Sequence, residues 1–269
     1  GVLLYRHSLM LHGAEPTAGQ CEAMLQAALD AREQRLLPPV RPSPAARVSA
    51  LGEQVEVMAT PTHRLADERL AVGVAFDGDA DRSLFVDAQG RLVNGDSTLW
   101  ILANYLYARG ELNQQAVVAT VMSNVGLELA LKSRGIGLVR TDVGDKYVLD
   151  ELLRCGATLG GEQSGHIILP KLSLAGDGLI TTLCVLRIIV EEQKSLQQLA
   201  EGFQVFPQVL VNVRVKEKRP FTEFSTINKV AHKIENELGS RGRLLLRYSG
   251  TEPLARVMIE GESQPQIEG

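Results

Sequence analysis

Residues 71–82 run Ala-Val-Gly-Val-Ala-Phe-Asp-Gly-Asp-Ala-Asp-Arg, an apolar stretch followed at once by three alternating carboxylates. The apolar residues, bounded by a glycine-containing turn, predict a buried strand. Asp77, Asp79 and Asp81 would then follow the end of that strand, a usual place for active sites in α/β proteins. The stretch therefore predicts both a sheet element and a functional site.

Three carboxylates held so close together repel one another, and a hard divalent cation would offset that repulsion. Mg²⁺ prefers oxygen ligands and keeps positions open for water or a phosphate oxygen. Arg82 adds a fixed positive charge, and its planar fork of donors suits phosphate. We therefore expect Asp77, Asp79 and Asp81 to bind Mg²⁺ next to a phosphate group.

Other kinds of site also contain alternating aspartates. A solvated acidic turn is one alternative, because Asp and Gly are common turn residues. A calcium loop of the EF-hand type is excluded, since it needs Gly where this chain has Arg82 and Glu where it has Ala88. A phosphatase of the haloacid dehalogenase type would use Asp77 as nucleophile but usually has Thr or Val at the position of Asp81. It stays as the second hypothesis for this motif.

A second motif, residues 160–166, has the sequence Gly-Gly-Glu-Gln-Ser-Gly-His. Glu162, Ser164 and His166 offer donors and acceptors of the kind that bind sugar hydroxyls, and glycine allows a close approach of the backbone. A plain polar turn before the apolar residues 167–169 would look similar.

A third motif, residues 247–256, has the sequence Arg-Tyr-Ser-Gly-Thr-Glu-Pro-Leu-Ala-Arg. Guanidinium groups, hydroxyls and backbone N–H groups could converge there on a phosphate. The candidate phosphate ligands are Arg247, Ser249, Gly250, Thr251 and Arg256. A hairpin turn with solvated arginines is the alternative.

These three motifs, in this order between about residues 72 and 261, resemble the α-D-phosphohexomutase family. Residues 122–128, 143–148 and 206–213 agree with that family. The form of the second motif and residues 206–213 are most similar to its bacterial phosphoglucosamine mutase branch, ahead of the phosphomannomutase and phosphoglucomutase branches. The resemblance implies an isomerase that converts glucosamine 6-phosphate to glucosamine 1-phosphate through a phosphoserine and a bisphosphate intermediate.

The resemblance also implies a role for each candidate residue. The three aspartates would hold Mg²⁺, and Arg82 would steady the transferred phosphoryl group. Glu162 and Ser164 would bind the hydroxyls of a phosphorylated hexose or hexosamine, while the third motif would hold the phosphate that is not reacting. Lys146 and His166 are candidates for proton transfer or phosphate contact. A surface lysine and a loop-bracing histidine are the respective alternatives.

The phosphoserine of that family is expected in a loop that ends Ser-His-Asn-Pro, and no histidine of this sequence is followed by Asn-Pro. We therefore expect the mutase to be incomplete in this chain, with a separate N-terminal half as the partner that carries the phosphoserine. A Mg²⁺-dependent phosphatase that uses Asp77 directly and an inactive phosphosugar-binding remnant are the other hypotheses.

Composition restricts the remaining classes of function. The 269 residues carry a net charge of −4, which gives no basic footprint for nucleic acid or an anionic membrane. The three cysteines lack metal-ligand spacing. No signal peptide is expected, and the most apolar stretch, residues 178–190, is too short to cross a bilayer. We expect a cytoplasmic protein.

The predicted fold class is α/β, with three segments along the chain. Residues 1–68 form an irregular or remnant segment, in which residues 21–36 are helix-like and residues 55–58 could be a strand. Residues 69–194 form a metal- and sugar-binding α/β domain with a layered, mixed or parallel sheet. Residues 195–269 form a small phosphate-binding α+β domain, which we expect to be incomplete because the chain ends soon after Gly261.

Local patterns predict the elements of the last two segments. Strands are expected at residues 71–76, 117–122, 137–141, 157–159, 209–215, 243–247 and 256–260. Helices are expected at residues 123–132, 146–154, 177–193 and 221–238.

Overall fold

A computed structural model gives the structure of the chain and describes residues 72–250 and 252–268, together with the backbone of four short strands near the N-terminus. These strands are β1 (Val2–Tyr5), β2 (Ser8–Leu11), β3 (Ser49–Leu51) and β4 (Gln54–Glu56). The predicted strand at residues 55–58 overlaps β4. The helix predicted at residues 21–36 lies outside the described residues.

The first sheet is antiparallel and has the strand order β1-β2-β5-β6-β7. Its central strands are β5 (Val72–Phe76) and β6 (Ser83–Asp87), followed by β7 (Leu92–Val93). Val72, Val74 and Phe76 are buried, as expected for alternate residues of a strand with one face on a core. Phe76 pairs with Ser83, so residues 77–82 form the connection of a β-hairpin.

That connection corrects one step of the sequence argument. The carboxylates were expected at the end of a strand in the manner of parallel α/β sheets, whereas β5 and β6 are antiparallel neighbours. The placement after a buried strand is confirmed, but its cause is hairpin closure and not the edge of a parallel sheet.

The second sheet is mixed and has the order β11-β10-β8-β9. Its strands are β8 (Ala116–Thr120), β9 (Gly137–Thr141), β10 (Gly160–Gly161) and β11 (Ile167–Ile168). Both β9 and β10 run parallel to β8, whereas β11 is antiparallel to β10. The strand predicted at residues 157–159 is displaced to Gly160–Gly161, because the backbone pairs with β8 at Val118 and Ala119.

Five α-helices accompany these sheets within the described residues. They are α1 (Gly95–Ala108), α2 (Val125–Ser133), α3 (Asp145–Cys155), α4 (Gly178–Glu192) and α5 (Leu196–Ala200). The predicted limits of α4 are confirmed by its caps, since Asp177 accepts a hydrogen bond from the Ile180 N–H. Helix α3 packs its Val148 and Leu152 against Val118 and Ile168 of the sheet.

A three-stranded antiparallel sheet of order β12-β14-β13 follows. Its strands are β12 (Gln208–Arg214), β13 (Arg243–Tyr248) and β14 (Leu254–Glu260), and its helices are α6 (Ser225–Leu238) and α7 (Gln264–Glu268). The helix predicted at residues 221–238 is two elements. A 3₁₀ turn, Phe221–Glu223, is separated from α6 by Phe224, whose backbone is extended.

The chain separates into two compact units. The first contains Gly1–Ser123 and Ala130–Phe203, and the second contains Asn124–Leu129 and Gln204–Gly269. The mixed α/β architecture followed by an α+β unit confirms the predicted fold class. Among the described residues, none of the helices combines the length and the apolar character that a bilayer crossing requires.

Candidate metal centre and ligand loops

The aspartate loop brings three carboxylates into one cluster. One carboxylate oxygen each from Asp77, Asp79 and Asp81 lies within 4.8 Å of the others. The turn between β5 and β6 is tight, and Ala80 adopts a left-handed backbone with φ of 61°. Asp79 is exposed, whereas Asp77 and Asp81 are half-buried. The cluster therefore opens to solvent on one side and is supported by protein on the other.

Backbone contacts hold the loop in this shape. The Ala80 carbonyl accepts a hydrogen bond from the Gly178 N–H at 2.9 Å, which ties the loop to the start of α4. A Cβ at Gly178 would lie 2.7 Å from the Arg82 carbonyl oxygen and 2.9 Å from that of Ala80. Only glycine lets the helix and the loop approach so closely.

Arg82 contributes a positive charge beside the cluster. Its Nε lies 3.7 Å from Asp77 Oδ2 and 3.9 Å from Asp81 Oδ1, and its backbone N–H donates to Asp77 Oδ1 at 3.3 Å. One guanidinium faces three carboxylates, so the loop keeps an excess of negative charge.

The electrostatics of Asp81 show what this excess does. Burial, a hydrogen bond to Asp77 and the charges of Asp77 and Asp79 raise the pKa of Asp81 from 3.8 to about 6, against the opposing charge of Arg82. Asp81 Oδ1 is also buried and has no hydrogen-bond partner among the residues that the structure describes. A buried carboxylate oxygen in that state is costly, and a divalent cation would satisfy it. Hard oxygen donors in this number fit Mg²⁺.

The second motif forms a tight loop between β10 and β11. The Glu162 N–H donates to the His166 carbonyl at 2.9 Å, and the Gly165 N–H donates to the Glu162 carbonyl at 3.0 Å. The Glu162 side chain accepts from the Gly144 N–H at 3.1 Å and from the Ser164 hydroxyl at 3.3 Å. Glu162 and Ser164 are therefore neighbours with oriented oxygen atoms, and both stay partly exposed.

The same loop lies directly beside the aspartate loop. The Ser83 N–H, next to Arg82, donates to the Gly165 carbonyl at 3.1 Å. Gly165 has a φ of 96°, and a Cβ there would lie 2.4 Å from the Ser83 carbonyl oxygen. The structure thus brings the predicted metal and sugar loops together in one unit.

Two of the predicted catalytic residues have different surroundings. His166 is 5% exposed, and burial lowers its pKa against the raising effect of Glu162 and Asp145, so its imidazole is neutral near pH 7. A Cβ at Gly176 would overlap the His166 ring, which shows how tightly the ring is covered. Lys146 is exposed at the second residue of α3.

The third motif forms the turn between β13 and β14 in the second unit. Arg247 and Arg256 are cross-strand partners, and burial lowers the pKa of Arg247. Arg256, 8% exposed, donates through Nη2 to the Ser249 hydroxyl at 3.4 Å and to Glu252 Oε2 at 3.3 Å. Gly250 is exposed, and Thr251, the other predicted ligand, lies outside the described residues.

Comparison with protein families agrees with this arrangement. The model of "Phosphoglucomutase/phosphomannomutase, alpha/beta/alpha domain III" matches residues 94–206, and that of the "Phosphoglucomutase/phosphomannomutase, C-terminal domain" matches residues 210–269. The chain belongs to this family. Its aspartate loop, residues 77–82, precedes the first matched range.

Curated members of the phosphoglucomutase/phosphomannomutase family are similar over most of this chain. A phosphoglucosamine mutase of Solibacter usitatus is 50% identical over 200 residues, which cover 74% of this chain and 45% of that protein. One from Caldanaerobacter subterraneus is 46% identical over 225 residues, covering 81% and 50%. The chain therefore spans about half the length of the curated relatives it matches.

Solved structures of the family share the fold. An N-acetylphosphoglucosamine mutase from Aspergillus fumigatus is 22% identical with a TM-score of 0.61, over 72% of this chain and 45% of that one. A Burkholderia thailandensis phosphoglucomutase/phosphomannomutase family protein is 22% identical with a TM-score of 0.59, over 76% and 45%.

Family resemblance did not reveal the residues that hold these loops. Gly95 and Asp96, at the start of α1, support the sugar loop: the Gly95 N–H donates to the Gln163 carbonyl at 3.0 Å, and Asp96 accepts from the Gln163 side chain at 3.2 Å. A Cβ at Gly95 would lie 1.9 Å from the Glu162 carbonyl oxygen. The sequence signal that could have revealed them is Asn94, a residue type that favours the start of a helix. Its side chain caps α1 by accepting a hydrogen bond from the Ser97 N–H at 3.1 Å.

Proposed function

We propose that this chain supplies the metal-, sugar- and phosphate-binding parts of a phosphoglucosamine mutase, which interconverts glucosamine 6-phosphate and glucosamine 1-phosphate. The observation that carries the proposal is the cluster of Asp77, Asp79 and Asp81 within 4.8 Å, next to the loop of Glu162 and Ser164. Curated relatives named phosphoglucosamine mutase, about half of whose length this chain spans, support the choice of substrate.

Asp77, Asp79 and Asp81 would hold Mg²⁺ in this proposal. Asp81 Oδ1, which accepts no hydrogen bond from the described residues, and the excess of negative charge support a cation there. An Aspergillus fumigatus N-acetylphosphoglucosamine mutase of the same fold was crystallised in complex with GlcNAc-6P and magnesium. When bound, the ion would neutralise charge on a phosphoryl group in transfer.

Arg82 would steady the transferred phosphoryl group from the same loop. Its guanidinium lies beside two of the carboxylates, 3.7 Å from Asp77 and 3.9 Å from Asp81. Without a cation those carboxylates hold it electrostatically. A bound ion would weaken that hold and leave the planar donor fork available to phosphate oxygens.

Glu162 and Ser164 would bind the hydroxyls of the sugar. The Glu162 carboxylate is oriented by the Gly144 N–H on one oxygen and by the Ser164 hydroxyl on the other. Its remaining lone pairs can accept from two sugar hydroxyls. A pair of neighbouring hydroxyls satisfies such a carboxylate from either side of the ring, which suits a sugar that must bind in two orientations.

Arg247, Ser249, Gly250, Thr251 and Arg256 would hold the phosphate that is not reacting. Arg247 and Arg256 lie opposite each other on neighbouring strands, so their guanidinium groups could both donate to one phosphate. Burial lowers the pKa of Arg247, because removing the charged guanidinium from water is unfavourable. A bound phosphate would offset this desolvation cost. Holding the remote phosphate would position the reacting oxygen.

Lys146 and His166 stay candidates for proton transfer or phosphate contact. Lys146 is exposed and free to reach a ligand from the start of α3. The buried, neutral His166 suits bracing of the sugar loop better than exchange of protons with solvent. We therefore rank Lys146 ahead of His166 for direct contact with a phosphate.

The phosphoserine would come from a separate N-terminal half acting as a partner, and we place the reaction in the cytoplasm. The full transfer needs a group that stores the phosphate between its two moves, and the sequence contains no Ser-His-Asn-Pro loop. The proposal accordingly separates binding, which this chain would perform, from isomerisation.

Isothermal titration calorimetry tests the metal assignment. Mg²⁺ should bind the wild-type chain, and Asp79→Asn should remove that binding, while Asp150→Asn removes the same charge from an exposed position of α3 and serves as the control. The same Mg²⁺ response in wild type and Asp79→Asn would reject the assignment.

Titration with sugars tests the phosphate assignment. Glucosamine 6-phosphate should bind more tightly than glucosamine, and Arg247→Ala should remove the difference. Arg214→Ala, at an exposed position of β12 in the same unit, is the matched control. Equal affinity of the wild-type chain for both sugars would contradict the proposal.

A further inference from the structure

The segment 216–224 is attached to the end of β13, where the phosphate loop begins. The Lys218 ammonium donates to the Ser249 carbonyl at 2.6 Å and to the Gly250 carbonyl at 3.4 Å. The Tyr248 hydroxyl donates to the Arg219 carbonyl at 2.6 Å. The Phe221 and Tyr248 rings stack at 4.4 Å with an interplanar angle of 9°. These contacts, all within the second unit, fix the β13 end of the turn.

The two bonds of Lys218 act on the backbone of the phosphate loop itself. Peptide bonds of the described residues are trans, so the N–H and C=O of one peptide unit point in opposite directions. Because the Ser249 carbonyl faces Lys218, the N–H of Gly250 in the same peptide unit points away from Lys218. Apart from its chain neighbours, no described residue would lie within 4 Å of a Cβ at Gly250.

This orientation matters for an anion. Backbone N–H groups attract a phosphate and carbonyl oxygens repel it, so an anion-binding turn must keep its carbonyls turned away. A flexible loop would lose affinity through the entropy of being ordered on binding. A cation that holds two successive carbonyls addresses both problems, and Lys218 does so from a residue 31 positions away in the chain.

We propose that Lys218 is a positioning residue of the phosphate loop: by binding the Ser249 and Gly250 carbonyls, it presents the Gly250 N–H to the phosphate of the sugar ligand. The inference rests on the proposed function, because it assigns a support to the same phosphate site. Arg219 and Phe221 complete the support through their contacts with Tyr248.

Lys218→Met and Lys218→Arg separate positioning from simple charge. Methionine keeps the length of the side chain but cannot donate, whereas arginine keeps both the charge and the ability to donate to carbonyls. Lys216→Met removes the same charge from an exposed position two residues away and is the matched control.

Calorimetric titration with glucosamine 6-phosphate and with glucosamine measures the effect. We expect Lys218→Met to weaken binding of the phosphorylated sugar about tenfold, the size of a lost charge-assisted hydrogen bond. Affinity for glucosamine should not change. Lys218→Arg should restore most of the loss, and Lys216→Met should change the affinity by less than about twofold.

A preference for the phosphorylated sugar that is lost in Arg247→Ala but kept in Lys218→Met would overturn this inference and leave the proposed function intact. A wild-type chain without that preference would overturn both. A loss of the same size in Lys216→Met would show that charge, and not the position of the loop, decides the affinity. A folded Lys218→Met chain, checked by circular dichroism, makes these outcomes interpretable.

Discussion

Asp81→Asn should make the metal-free chain more stable while removing its response to Mg²⁺. Asp81 is the member of the aspartate cluster whose ionisation is resisted: its pKa is raised to about 6 by burial, by its hydrogen bond to Asp77 and by the neighbouring charges. Asparagine has the same shape but no charge to desolvate. The substitution therefore removes a cost of folding together with a metal ligand.

The size of the gain follows from the pKa. A shift from 3.8 to about 6 corresponds to about 3 kcal/mol at 1.4 kcal/mol per pH unit. The Asp81 side chain is 36% exposed, so solvent screening reduces this value, and we use about half, ~1.5 kcal/mol. For a chain of this size, that gain raises the melting temperature by roughly 3–6 °C.

The gain must also depend on pH in a defined direction. A raised pKa means that the folded state holds more protons than the unfolded state between pH 3.8 and about 6. The contribution of Asp81 to the stability of the wild-type chain therefore falls as pH rises through that window. The advantage of Asp81→Asn should be absent below about pH 4 and complete above about pH 6. Mg²⁺ competes with the same proton, so its affinity should decrease as pH falls below about 6.

Thermal unfolding followed by tryptophan fluorescence measures these effects in the compact unit that contains the aspartate loop. Trp100, the single tryptophan of the chain, is 5% exposed in α1 of the first unit. With ~10 mM Mg²⁺ and a Kd of ~1 mM, the wild-type chain should gain about 1.4 kcal/mol and Asp81→Asn nothing. Asp150→Asn should behave as wild type. A metal-free Asp81→Asn chain that melts below wild type at pH 7.5 would contradict this prediction, as would an Asp81→Asn chain that still responds to Mg²⁺.

Other predictions follow from the loops. Gly95→Ala should displace the sugar loop, because its Cβ would lie 1.9 Å from the Glu162 carbonyl oxygen, and should weaken sugar binding at least tenfold by calorimetry. Gly137→Ala, whose Cβ would make only ordinary contacts at 3.7 Å, is the control and should bind normally. The chain alone should form no glucosamine 1-phosphate in a coupled assay, even with a hexose bisphosphate as primer. Turnover that disappears in Asp77→Ala would contradict that expectation.

Local sequence signals predicted the elements that local chemistry determines. The alternating apolar residues of β5 and the Asp177 cap of α4 lie next to the structure they specify. Helix α1 was missed because its first turn, Gly-Asp-Ser-Thr, is polar yet buried. Strand β10 consists of two glycines, which carry no strand preference, and its position follows from pairing with β8.

The candidate site also contains a part that local sequence predicts and a part that depends on long-range contacts. The aspartate cluster was predictable because its three carboxylates lie within five consecutive residues, so their proximity needs only one turn. The residues that support the loops could not be predicted from motifs, because they are distant in sequence from the loops. Lys218 contacts Ser249, 31 residues away, and Asp96 contacts Gln163, 67 residues away. Such pairs depend on the course of the backbone between them, which no single motif specifies.

The serines near the aspartate, sugar and phosphate loops support the proposal that this chain binds its substrate without isomerising it. A phosphate carrier must be exposed and free to meet both the metal and the sugar. Ser83 follows the aspartate loop directly but is 0% exposed, and the Ser164 hydroxyl donates to Glu162. Ser249 is 2% exposed and accepts from Arg256. Each of these hydroxyls is buried or engaged in a ligand loop, so none of the three is suited to store a phosphoryl group.

The carboxylates of the cluster could accept phosphate only by giving up their place as metal ligands. A phosphoserine brought to the aspartate loop by a partner would supply the missing carrier, and mixing this chain with such a partner should restore isomerisation that neither part performs alone.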